Sequence, residues 1–181
     1  VNVTGNGVST AFVVAPASLS FGDVLLGESK LDSVSVQNIG SKDLFISLAQ
    51  SNNNNYSVTP SSATIPPYDS LKFYVTFLPN SMGVKNGFVI FDHNANGTPD
   101  SVSVSGRCIA PLFSVVPTSL NFGDVVVFSS KTDSVIVTNT GTAQLEISLT
   151  ESNNSDYSIT PTIATLLPSM SRTFYVTFIP S

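Results

Sequence analysis

Phe21-Gly22-Asp23-Val24, followed by Asp32-Ser33-Val34-Ser35-Val36-Gln37-Asn38 and Gly40, decides the fold, because the chain writes this stretch twice. Phe122-Gly123-Asp124-Val125 leads to Asp133-Ser134-Val135-Ile136-Val137-Thr138-Asn139 and Gly141, at a constant offset of 101 residues. From Phe12 and Phe113 to Asn80 and Ser181 the copies align without a gap, with 38 identities in 69 paired positions. That density makes the chain a tandem array, to be read repeat by repeat. Each copy alternates apolar and polar residues between Gly, Asn and Pro, the signature of short strands.

Working outward, Phe12, Val13 and Val14, then Leu19 to Phe21, read as a first strand broken by Pro16, which suits an edge strand that changes sheets. Gly22-Asp23 signals a turn or bulge. Val34 and Val36 face inward, and Asn38-Ile39-Gly40 reads as a turn, Asn and Gly being residues that tolerate positive φ. Leu44, Ile46 and Leu48 form another inward face. Tyr56 and Val58 begin a strand that Pro60 ends, and Pro66-Pro67 marks a turn. Leu71, Phe73, Val75 and Phe77 give the strongest period-2 run, closed by Pro79. Its alternation buries Phe73, Val75 and Phe77, with Phe174, Val176 and Phe178 in the second copy, and turns Tyr74, Thr76, Tyr175 and Thr177 outward. Residues 87–91 and then Val102 with Val104 complete about seven strands, the number of an immunoglobulin-like sandwich. The fold class is all-β, as tandem immunoglobulin-like sandwiches.

The division expected is residues 1–11 as the last strand of a preceding repeat plus linker, 12–109 as a complete repeat, and 110–181 as a second repeat lacking its last two strands. Val1-Asn2-Val3-Thr4-Gly5 stands 101 residues before Val102-Ser103-Val104-Ser105-Gly106 and shares its alternation and its closing Gly. The chain thus starts and stops out of phase with its repeats. Two explanations stand: residues cut from a longer array, or subunits that complete one another. In the second, Val1, Asn2, Val3, Thr4 and Gly5 form a subunit-contact strand for an open edge at Phe174, Val176 and Phe178 of the next copy. The junction at residues 107–112 contains Pro111 and no Gly-Ser run, which favours a semi-rigid rod.

Charged residues are 10% of the chain, hydrophobic residues 41%, and the net charge is −5. Each repeat has enough apolar residues for a core. The seven Lys and Arg are scattered, which argues against nucleic acid as a partner. The single cysteine, Cys108, cannot form an internal disulfide and reads as a small apolar residue. No apolar run has the length of a membrane span, and no export signal stands at Val1.

These motifs resemble the ASPM–SPD-2–Hydin (ASH) domain and the bacterial "choice-of-anchor D" repeats. They are Phe21-Gly22-Asp23-Val24, Asn38 with Gly40, Leu44 with Ile46, Val75-Thr76-Phe77-Leu78-Pro79, Gly83 and the run from Val102 to Gly106. The second copy repeats them as far as Pro180. The resemblance implies a sandwich related to the major sperm protein and PapD folds, with no shared catalytic residues and no cofactor. Eukaryotic members of the family sit in cilia and centrosomes, and bacterial ones are mostly exported. The low Lys and Arg content with abundant Ser, Thr and Asn resembles the bacterial group.

Candidate chemistry is sparse. His93 is the only histidine, so no histidine cluster can hold zinc, and its position between strands predicts a solvated loop residue. Asp92-His93-Asn94-Ala95-Asn96-Gly97 opens like a calcium loop, but Ser103 stands where the bidentate Glu belongs, so a hairpin is expected. Asn2, Asn55, Asn96 and Asn153 begin Asn-x-Ser/Thr triplets. Asp-Ser-aliphatic triplets place Ser33, Ser70, Ser101 and Ser134 in a pattern that resembles an O-glycosylation signal of Bacteroidota; they read equally as strand openings.

The function expected is that of a non-enzymatic structural module of an extracellular or cell-surface bacterial protein. It would form part of a rod or filament, with protein as its partner, head-to-tail self-association and glycan attachment. The alternatives are an adhesin or carbohydrate-binding module, for which Tyr74 and Tyr175 are the exposed aromatics, and a ciliary or centrosomal scaffold.

Overall fold

The computed structural model describes residues 1–181 as two compact units, Val1–Cys108 and Ile109–Ser181. Unit 1 contains β1 (Phe12–Ala15), β2 (Ser18–Leu25), β3 (Lys30–Asn38), β4 (Leu44–Ser51), β5 (Tyr56–Thr59), β6 (Ala63–Ile65), β7 (Ser70–Phe77), β8 (Gly83–His93) and β9 (Asp100–Ile109). One sheet has the order β1-β3-β7-β5 and the other β2-β9-β8-β4-β6. The chain changes sheets between β1 and β2, at Pro16, as the proline predicts. No helix forms.

Period-2 alternation builds the core. Phe73, Val75 and Phe77 of β7 are fully buried beside Val34 and Val36 of β3 and meet Val89, Phe91, Val102 and Val104 of the opposite sheet. Phe73 stands edge-on to Phe91 at 5.2 Å. Phe77 stacks on Tyr56 at 4.7 Å and reaches Phe21 at 5.6 Å, so one aromatic trio ties the two sheets together.

Two expectations need correction here, and a third holds. Leu48 does not join Leu44 and Ile46 in the core: a register shift between Ile46 and Leu48 brings Ala49 inward instead. Such a bulge resets the alternation by one residue. Gly40 does not take positive φ. Its missing side chain serves close approach, because a Cβ there would strike the Ser9 carbonyl and stand 2.8 Å from the Ala11 nitrogen. Gly22 does have φ 66°, inside β2, where burial passes from Phe21 to Val24 across two exposed residues; the bulge reading of Gly22-Asp23 is correct.

Unit 2 contains β10 (Phe113–Val116), β11 (Lys131–Asn139), β12 (Leu145–Ile147), β13 (Tyr157–Thr160), β14 (Ala164–Leu166) and β15 (Ser171–Phe178). Its first sheet, β10-β11-β15-β13, repeats β1-β3-β7-β5, with Val135 opposite Phe174 as Val34 is opposite Phe73. Of the second sheet only the pair β12-β14 forms. The buried cluster is reduced to Val137, Leu166 and Phe174. Strand β15 is not an edge strand: β11 and β13 flank it. What lies open is the face that carries Val176 and Phe178. Residues 1–5 form no strand, since a strand needs a hydrogen-bonded neighbour and these have none.

Candidate interaction surface

In unit 1 the aromatic trio is roofed by β8 and β9. In unit 2 the equivalent trio, Phe122, Tyr157 and Phe178, keeps its geometry: Tyr157 stacks on Phe178 at 4.7 Å, and Phe122 stands 5.7 Å from each ring. No roof strand covers it within residues 109–181. Val176, Phe178, Tyr157 and Ile159 are half-exposed, and a shallow cavity of about 510 Å³ opens beside Tyr157, Ile159 and Val176, rimmed by Glu151, Ser152 and Asn153. Residues 119–125 lie alongside without joining a strand, although Lys131 Nζ still donates to the Phe122 carbonyl at 2.7 Å, as Lys30 does to Phe21.

A second construction recurs at the other end of each unit. Asn38 is completely buried; its Nδ2 donates to the carbonyls of Lys42 (2.7 Å) and Ile65 (3.0 Å), and its Oδ1 accepts from the Gly40 N–H at 3.0 Å. Asn139 does the same with Ala143, Leu166 and Gly141, and also accepts from the Leu112 N–H at 3.2 Å. The turn so fixed grips the incoming chain. Ser41 and Lys42 donate to the Ser9 carbonyl, and Thr142 and Ala143 to that of Ala110. The turn signal in the sequence was readable; that the Asn side chain is the buried hub was not.

The family model described as ASH, abnormal spindle-like microcephaly-associated, ASPM-SPD-2-Hydin, matches residues 7–101. The chain belongs to the ASH family. A second family model, the HYDIN/CFA65/VesB-like Ig-like domain, matches residues 111–181. Among solved structures the ASH chain is similar to PapD-like domain 7 of human CEP192, at 17% identity over 60% of this chain and 92% of that one, with a TM-score of 0.51. That likeness is one of fold. It is also similar to a protein of unknown function from Porphyromonas gingivalis (16% identity, 93% and 83% covered, TM-score 0.47) and to the E. coli chaperone DraB (10%, 96% and 88%, 0.45). No curated protein matches the sequence.

The remaining candidate residues of the ASH units fall as follows. His93 is not solvated: it is the last residue of β8, its side chain is wholly buried, and its ring stacks on Phe12 at 4.3 Å. Nδ1 accepts from the Ala95 N–H at 3.2 Å, which leaves the Nε2 proton to bond Asp100 Oδ2 at 2.9 Å. The packing partner Phe12 is 81 positions away in the sequence, so local reading could not find it. Asp92 and His93 close β8, and residues 94–99 form the β8–β9 hairpin connection, with Asn94 Oδ1 accepting from the Phe45 N–H of β4. Asp32, Asp69 and Asp133 each accept from the N–H of the serine that follows; Ser70 and Ser101 are exposed, and Ser33 and Ser134 half-buried. Tyr74 and Tyr175 are exposed. On the outer face of β2, β9 and β8 lies a cavity of about 430 Å³, lined by Ser20, Asn52, Asn86, Phe88 and Ser103 among others. Arg107 clasps Asp23 with bonds of 2.7 and 2.6 Å, and that hydrogen bonding holds the Asp23 carboxyl below its usual range. Burial pushes the Tyr56 hydroxyl up to about 12; it donates to the Lys85 carbonyl at 2.6 Å.

Proposed function

We infer that this ASH chain is a non-catalytic structural module that acts by protein–protein contact, as part of a rod or filament outside a bacterial cell or on its surface. The observation that carries the reading is what the repeated residues do. Phe21, Asn38, Gly40, Phe73 and Phe77 and their counterparts go into cores and backbone clamps. A sequence that repeats its architecture and no reactive set is one selected for shape. The low charge and the Ser, Thr and Asn content support the extracellular assignment. So does the outward placement of Ser70 and Ser101, which we read with Ser33 and Ser134 as O-glycan acceptors. Protease treatment of intact producing cells is expected to strip the chain, and intact mass of the secreted form to show saccharide increments that Ser70→Ala and Ser101→Ala remove. A chain digested only after lysis would overturn the location.

A second reading, carbohydrate binding, is favoured by the groove around Phe88, where an exposed aromatic stands among amides and hydroxyls. A glycan array that stays blank for the parent chain removes it.

A further inference from the structure

Resting on the carbohydrate reading, we propose that the outer face of β2, β9 and β8 holds an uncharged oligosaccharide, with one sugar ring on Phe88 and the rest running along β9 towards Arg107. Side-chain size makes the trough. The outward residues of β2 and β9 are short, Ser20, Ser103 and Ser105, while β8 beside them raises Asn86 and Phe88. The first cavity, about 430 Å³, lies within the range of small-molecule sites, about 300–1,000 Å³. A second, about 200 Å³, shares Ser20, Asn86 and Ser105 with it and reaches Asp23 and Arg107. From Ser103 to Arg107 the floor runs about 13 Å at the rise of a strand, the length of a short oligosaccharide.

The platform is fixed before any ligand arrives. Phe88 is 48% exposed, yet its backbone is held on both sides. Strand β9 sets Ser103 opposite it, and from the other side Asn52 donates its N–H to the Phe88 carbonyl at 3.1 Å and accepts from the Phe88 N–H through Oδ1 at 2.8 Å. Asn53 Nδ2 donates to the Asn86 carbonyl at 2.9 Å. This loop comes close because Gly87 has no side chain: a Cβ there would stand 2.9 Å from Asn52 Oδ1 and from Asn53 Cβ. Beneath the floor Val102 and Val104 are buried, and Gly106 runs so close under the Phe77 ring that a Cβ would stand 2.6 Å from it. A side chain on so fixed a backbone loses little freedom when a ligand settles on it.

The lining selects the ligand. The negative face of an aromatic ring suits the C–H face of a pyranose, and the amides and hydroxyls around it match sugar hydroxyls. No charged residue lines the first cavity. At the far end Arg107 is already paired with Asp23 at 2.7 and 2.6 Å, which leaves no spare positive charge for an acidic sugar. A peptide is equally unsuited: the main-chain groups of this face lie in the plane of the sheet, engaged by neighbouring strands, with no ladder to extend.

The test applies the full 181-residue chain to arrayed neutral and acidic oligosaccharides and titrates the strongest neutral one by calorimetry. Phe88→Ala is expected to weaken binding by about tenfold or more, and Phe88→Tyr to retain it. Ser105→Tyr, which fills the trough where the two cavities meet, should abolish it, and Tyr74→Ala, on the other sheet, should leave it unchanged. These side chains lie outside the core, so the variants stay folded, which circular dichroism checks. Affinity that survives Phe88→Ala and falls with Tyr74→Ala overturns this site and leaves carbohydrate binding standing. A Ser105→Tyr variant that binds like the parent overturns the course along β9, and a preference for acidic glycans overturns the uncharged class. An array blank for every glycan overturns the site and the carbohydrate reading together and leaves the protein-contact reading untouched.

Discussion

Residues 19–24 and 120–125 differ at one position, Ser20 against Asn121, yet the first set lies in strand β2 and the second forms no strand. The same contrast separates β4, eight residues long, from β12, three residues long, although Leu44, Ile46, Ser47 and Leu48 recur as Leu145, Ile147, Ser148 and Leu149. Meanwhile β3 and β7 recur as β11 and β15 in unchanged register. What separates the strands that survive from those that do not is the neighbour. Strands β2 and β4 lean on β9 and β8, which unit 2 does not have in these residues, and β3 and β7 lean on each other. Strand formation here follows from pairing and packing more than from local preference.

The comparison is broken or sharpened first at its aromatic trio. Phe77→Ala is expected to cost unit 1 about 3–5 kcal/mol, the range for a fully buried aromatic. Phe178→Ala should cost unit 2 about 1–2 kcal/mol, because half-exposed apolar area contributes less. Denaturant midpoints of the separate transitions measure both; equal losses would mean that the open face is as well covered as the closed one.

A smaller effect of opposite sign is expected at the turn after residues 119–125. Gly27 has φ 89° in unit 1, and its counterpart Phe128, a residue 83% exposed, is held at φ 65°. A bulky residue in the left-handed region is strained by about 1–2 kcal/mol. Phe128→Gly should therefore stabilise unit 2 by about 0.5–1 kcal/mol after the extra chain entropy of glycine. An unchanged or lowered melting temperature would show that the ring is held by a contact that offsets the strain.

The smallest effect is confined to alkaline pH. Folded unit 1 keeps the Tyr56 proton up to about pH 12, whereas the unfolded chain loses it near 10.0. Between those values the native state binds more protons than the unfolded one, so stability falls as pH rises. The contribution is complete below about pH 10 and gone once pH passes about 12. Tyr56→Phe should flatten the alkaline limb of the unit 1 melting curve; a limb of unchanged slope would assign it to another group.

Much of this was legible from residues alone. Alternation places Phe73, Val75 and Phe77 correctly, and Pro16 marks the change of sheet, because both are local constraints on a pleated backbone. The roles of Gly40, Gly106 and His93 were not legible. Each is fixed by something distant in sequence: the Ser9 carbonyl, the Phe77 ring, the Phe12 ring. Leu48 misleads because a bulge is written in no single residue. The open edge expected at Phe174, Val176 and Phe178 is not one, because β11 and β13 flank β15, and strand neighbours are a matter of topology that alternation does not encode.

The grip of the Asn-Gly turn on the incoming chain has a consequence for proteolysis. Strand β9 runs to Ile109, and the next carbonyl, that of Ala110, is already held by Thr142 and Ala143. A protease needs a stretch of several free residues to thread its cleft, and residues 109–112 offer none. Cleavage should begin instead at a stretch that no strand holds, such as residues 117–130.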